Sequence, residues 1–159
     1  MLLTAFIYGL LAASLALIVE IAGLDMSGGL QFSLSQPHLA DFIPLFLVVL
    51  IEEGCRFLLL TQYTRRFFAL NPQLSLQNIA LSGLFFGLGF ATLELVMIIE
   101  ETGHQNYPLL PLYGIIITHT VLSILYILSL GKRLRFSPWL ALVFGIILHL
   151  TYNIFLASE

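Results

Sequence analysis

A chain of 159 residues, 59% of them hydrophobic and only 9% charged, cannot have water as its solvent over most of its length, since soluble domains carry about a quarter charged residues. The mean hydropathy of +1.01 points the same way. The net charge of −3 comes with no basic run or Gly-rich phosphate loop, which argues against a nucleic-acid partner, and a single cysteine, Cys55, excludes an internal disulfide.

A helix rising about 1.5 Å per residue needs about 20 apolar residues to cross roughly 30 Å of hydrocarbon. The first stretch that qualifies runs from Leu2 to Leu24. It has no Lys or Arg ahead of it and exceeds the apolar core of a signal peptide, so it reads as a retained helix. Glu20, near its far end, reads as an interfacial residue reaching for water. A loop from about Asp25 to Asp41 follows, with Gly28, Gly29 and Pro37 as breakers. The second span, Phe42 to Leu60, contains Glu52, Glu53 and Arg56, and a loop from Gln62 to Asn78 carries Arg65 and Arg66. The third, Ile79 to Ile99, contains Glu94 and a Gly83-xxx-Gly87 pattern that lets a neighbouring helix approach closely. The fourth, Leu109 to Leu130, contains His119, and Lys132, Arg133 and Arg135 come directly after it. The fifth, Trp139 to Leu156, contains His149 and Asn153. Trp139, Tyr107, Tyr113, Tyr63 and Tyr152 fall near span ends, where interfacial aromatics belong.

The expected fold is therefore all-α: one integral membrane domain, a polytopic bundle of about five transmembrane helices with the lipid bilayer as its solvent. Lys and Arg are retained on the cytoplasmic side of membranes. Arg65, Arg66, Lys132, Arg133 and Arg135 follow the second and fourth spans, whereas the other face carries Asp25, Asp41, Glu100, Glu101 and Glu159. This predicts a cytoplasmic N-terminus and an external C-terminus.

Besides Glu20, seven charged, imidazole or carboxamide residues fall inside the spans: Glu52, Glu53, Arg56, Glu94, His119, His149 and Asn153. An ionisable group in hydrocarbon costs several kcal/mol unless paired or hydrated, so each is a candidate for function. Counting from the outer span ends puts Glu52 and His119 roughly 16 Å deep, His149 roughly 13 Å and Glu94 roughly 9 Å. Side chains at these similar heights on four helices are expected to line one cavity in the outer half of the bilayer. Residues three or four apart share a helix face. Arg56 is thus expected to pair with Glu52, leaving Glu53 to point elsewhere, and His149 and Asn153 to face the same point.

Glu52-Glu53-Gly54-Cys55-Arg56 resembles the EExxK or EExxR box of PrsW-type glutamic intramembrane proteases, relatives of the CAAX-processing endopeptidases and bacteriocin-immunity proteins. Gly87-Leu88-Gly89-Phe90-Ala91-Thr92-Leu93-Glu94 is similar to the family's GxGFAxxE segment, His119 to the histidine of the next helix, and His149 with Asn153 to the closing HxxxN. These boxes come in the family's order and cover about two thirds of the chain, from 52 to 153. The resemblance implies an endopeptidase of a bacterial or archaeal plasma membrane, cutting a membrane-embedded or membrane-proximal protein substrate. It implies Glu52 as general base, assisted by Glu94, with His149 and Asn153 donating to the oxyanion. His119 would orient the water or a carboxylate, and Arg56 would fix the Glu52-Glu53 segment, with Glu53 also in the site. No cofactor is expected on this reading. Two Glu and two His also suit Zn²⁺ with an open water position, although no HExxH pair is present. Two other classes of function are open to the same residues: a small transporter or proton channel using Glu, His and Arg as a relay, and a non-catalytic binding or immunity-type protein gripping a partner helix.

Overall fold

The computed structural model describes residues 1–24, 39–71, 73–102 and 109–157. They form five helices: α1 (Leu2–Leu24), α2 (Leu39–Leu70), α3 (Leu76–Thr102), α4 (Leu109–Leu130) and α5 (Pro138–Ala157). Much of the loop expected from Asp25 to Asp41, together with Tyr107, lies outside the described residues.

Helices α1, α3, α4 and α5 are each long and apolar enough to cross a membrane. Helix α2 is longer, at 32 residues, but Glu52, Glu53 and Arg56 interrupt its apolar run. Two of these charges are fully buried among the other helices, Glu53 and Arg56, so α2 hides its charge in the bundle. The faces turned outward are apolar: Leu3, Ile7, Leu11 and Ile18 on α1, and Leu140, Val143, Phe144, Ile147 and Phe155 on α5, are exposed. Exposed apolar area on this scale suits lipid and not water.

The expected loop from Gln62 to Asn78 is half helix, because α2 continues to Leu70 and places Arg65 and Arg66 on its last turns. Polar residues after Leu60 end the apolar run without ending the backbone hydrogen bonding. Tyr63 is accordingly not an interfacial aromatic. It is fully buried, with Tyr8 edge-on at 5.6 Å and Phe67 stacked at 4.7 Å. Short polar caps begin the next elements. Ser75 Oγ accepts from the backbone N–H of Asn78 at 3.2 Å to start α3, and Ser137 Oγ accepts from that of Leu140 at 3.2 Å, with Pro138 as the first residue of α5. Lys132, at φ 55°, turns the chain out of α4 and presents the basic segment up to Arg135.

Around the bundle α1 lies between α2 and α3, α4 between α3 and α5, and α5 closes on α2, while α2 also meets α4 across the centre. Small residues set the closest seams. A Cβ on Gly9 would collide with the Phe86 backbone, and one on Gly89 with the Phe6 backbone, so α1 and α3 meet through a reciprocal pair of glycines. The Gly83-xxx-Gly87 pattern packs against α4, as its spacing suggests. A Cβ on Gly83 would come within 2.7 Å of Ile124 Cα, and one on Gly87 within 2.5 Å of Thr120 Cα and 2.6 Å of the His119 carbonyl oxygen. That contact sets the height of His119 against the α3 residues one and two turns on, Phe90 and Glu94.

Candidate active site

Two layers of polar groups meet where α2, α3, α4 and α5 converge. The inner layer centres on Glu53, which is fully buried. Its Oε1 accepts from Arg56 and lies 2.7 Å from His149 Nδ1, and its Oε2 accepts from the Tyr126 hydroxyl at 2.6 Å. Arg56 also reaches His119 Nδ1, and its guanidinium carbon lies 4.2 Å above the centre of the Phe90 ring. Phe90 in turn stacks on His119 at 4.9 Å, and His119 meets His149 edge-on at 5.1 Å. A buried ion pair is tolerated when its remaining donors and acceptors are also satisfied; both Glu53 oxygens are, and of the Arg56 nitrogens Nε alone lacks a partner among the described residues.

The outer layer is a cavity of about 160 Å³ lined by Ala13, Ala16 and Glu20 of α1, Glu52 of α2, and Phe90, Glu94 and neighbouring residues of α3. The two layers touch at two points. His119 Nε2 pairs with Glu94, and His149 Nε2 lies 3.5 Å from Glu52 Oε2. Phe90 forms part of the wall between them, since it lines the cavity and carries Arg56 and His119 on its ring.

The structure brings six of the seven expected residues into one connected cluster, with three departures from the sequence-based arrangement. Arg56 pairs with Glu53 at i+3, not with Glu52 at i+4. Both spacings share a helix face, and the choice is made by Tyr126 and His149, which approach α2 on the Glu53 side and complete that carboxylate's hydrogen bonds. The four residues Glu52, Glu94, His119 and His149 do not all line the cavity: the two carboxylates do, and the histidines sit behind them, each 1% exposed. Asn153, half-buried one turn beyond His149, makes no hydrogen bond to the cluster.

Two residues enter that sequence reasoning placed elsewhere or passed over. Glu20 does not reach outward to the interface but lines the cavity with Glu52 and Glu94, and its Oε1 is buried without a partner. The signal was present in α1, where Ala5, Gly9, Ala12 and Ala16 form a small-residue stripe at helical spacing that leads to Glu20. Tyr126 lies among Ile124, Leu125, Ile127 and Leu128 of α4, and only its tertiary partner distinguishes it from a core aromatic.

The buried Oε2 of each cavity carboxylate faces a histidine: Glu94 Oε2 pairs with His119, whereas Glu52 Oε2 stands 3.5 Å from His149 Nε2 and makes no hydrogen bond among the described residues. Among the described residues no three of the His, Cys, Asp and Glu side chains are grouped to hold one metal ion. Comparison with models of protein families, with curated proteins and with solved structures finds no match.

Proposed function

We propose that the chain is an intramembrane endopeptidase of the glutamic type, in which Glu52 activates a water to cleave a membrane-embedded or membrane-proximal protein. One observation carries this reading. Of two adjacent carboxylates, Glu53 has both oxygens engaged in the buried hub, while Glu52 lines the cavity that it shares with Glu94 and makes no hydrogen bond, among the described residues, through the Oε2 that faces His149 Nε2 at 3.5 Å. A general base needs that freedom, and the resemblance of the boxes to PrsW-type proteases supports the same assignment. The cavity has room for a few waters at about 30 Å³ each.

In the proposed reaction the water oxygen bonds to the scissile carbonyl carbon as its proton passes to Glu52. The tetrahedral oxyanion then collapses, the C–N bond breaks, and the amine leaves with a proton returned from the Glu52–His149 pair. Glu94, held by His119, orients the water. Asn153, whose carboxamide makes no hydrogen bond to the cluster and lies one turn from His149, donates to the oxyanion. By the distribution of Lys and Arg, the end of the bundle carrying Arg65, Arg66, Lys132, Arg133 and Arg135 is cytoplasmic. Labelling of a cysteine at Arg66 by an impermeant reagent in intact cells would contradict that orientation.

The test is cleavage of membrane substrates by purified protein in detergent. Glu52→Gln keeps the shape of the site and removes its base, so turnover should fall by on the order of 10² to 10⁴ with folding retained. Asn153→Ala should lose roughly 10² to 10³ in rate. Chelators should leave the wild type active, and recovery by added Zn²⁺ after chelation would replace the glutamate mechanism with a metal-dependent one. Ion flux that disappears in Glu52→Gln, without cleavage of any substrate, would favour a relay of the kind used by proton channels.

A further inference from the structure

We propose that Tyr126 is a positioning residue: by holding one oxygen of Glu53 it keeps that carboxylate from closing as a fork on Arg56 and fixes His149 protonated at Nδ1, the opposite tautomer to His119, which Arg56 holds protonated at Nε2. The tautomers follow from what each partner can do. A guanidinium only donates, so the His119 Nδ1 that faces Arg56 must accept, and the ring proton sits on Nε2, directed at Glu94. An ionised carboxylate only accepts, and Glu53 is ionised beside Arg56, so the His149 Nδ1 that faces it must carry the proton. The neutral His149 ring then has its lone pair at Nε2, the nitrogen 3.5 Å from Glu52 Oε2. Within the peptidase reading on which this part rests, that lone pair is where the proton taken from water is lodged before it returns to the leaving amine. The charge so formed on His149 is stabilised by Glu53.

Tyr126 enters because an arginine and a carboxylate left to themselves close into a two-point fork. Here they do not. Arg56 uses Nη1 for Glu53 and Nη2 for His119, and its Nε is buried without a partner. The second Glu53 oxygen is instead taken by the Tyr126 hydroxyl at 2.6 Å, which leaves the first turned to His149. The fold makes specific room for that hydroxyl. It passes over Gly145 of α5 so closely that a Cβ there would overlap it, and the Tyr126 ring is fully buried, edge-on to Phe57 at 5.7 Å.

The experiment is ¹⁵N NMR of histidine-labelled full-length protein in lipid nanodiscs, with resonances assigned through His38→Gln and His104→Gln. The wild type should show one buried ring protonated at Nε2 and the other at Nδ1. In Tyr126→Phe, Glu53 is free to fork onto Arg56, so His149 should lose its Nδ1–H pattern while His119 keeps its own. Gly145→Ala, which displaces the hydroxyl and leaves the tyrosine in place, should have the same effect. The same tautomer at both rings of the wild type overturns the proposal even if a variant fails to fold. So does a folded Tyr126→Phe with an unchanged His149. In cleavage assays Tyr126→Phe should lower kcat tenfold or more with KM within twofold, a split that general loss of structure does not give. If no form cleaves any substrate while the tautomers behave as stated, the peptidase reading falls and the positioning role of Tyr126 stands.

Discussion

Glu52 and Glu53 are consecutive on α2, and almost everything about them differs. Glu53 sits in a fully buried hub and accepts from three side chains on three helices, Arg56, Tyr126 and His149. Glu52 stands at the wall of a cavity, and its buried Oε2 makes no hydrogen bond among the described residues, with His149 Nε2 3.5 Å away. Successive side chains on a helix point about 100° apart, so one helix can send one carboxylate into the hub and the next to the cavity wall from adjacent positions. The contrast teaches that a paired acidic motif inside a membrane need not be a pair of equivalent groups: here one carboxylate holds the arginine, and the other lines a cavity with only His149 Nε2 near its buried oxygen, at 3.5 Å.

The largest test of that contrast is a comparison of stabilities. Glu53→Ala removes the counter-charge of a completely buried Arg56 and should destabilise by about 3–5 kcal/mol, enough to prevent accumulation of folded protein. Glu52→Ala removes a carboxylate with no partner on one oxygen, so the melting temperature in detergent should hold or rise. Equal melting of the two variants would mean that Glu53 is not the structural member.

A smaller effect is expected from the seam that brings the two layers into register. Gly87→Ala places a Cβ 2.5 Å from Thr120 Cα and 2.6 Å from the His119 carbonyl, both backbone atoms that yield only if α3 and α4 separate. Overpacking of this kind costs about 1–3 kcal/mol. It should also part His119 from Glu94, so cleavage should fall further than the drop in melting temperature accounts for. A variant that melts lower but turns over normally would show that the His119–Glu94 pair is not needed for the chemistry.

How much was legible in the chain differs from element to element. The helix at Leu109–Leu130 has the bounds that hydropathy alone predicts, because its apolar run and its backbone helix end together at a turn through Lys132. The helix at Leu39–Leu70 runs ten residues past its apolar run, since hydrogen bonding along the backbone continues where burial in hydrocarbon stops. Glu94, His119 and His149 stand out in sequence because ionisable groups in apolar spans are expensive, and they do converge. Tyr126 does not stand out, because a tyrosine among Leu and Ile has the spacing of any core aromatic.

By itself, then, the amino-acid order determined that this is a helical bundle for a membrane, with its cations near one end and a set of acids, imidazoles and an arginine inside, since transfer of side chains out of water depends on composition and run length alone. It also marked a face of α3 for close approach by a neighbouring helix, through two glycines one turn apart, but that the neighbour is α4 was decided by the fold. Which carboxylate Arg56 chose, whether Glu20 looked outward or into the cavity, and how the histidines divide between two carboxylates were decided only in three dimensions. Residues three and four apart are equally good neighbours along a helix, and the difference between them is made by hydrogen-bond donors that other helices bring.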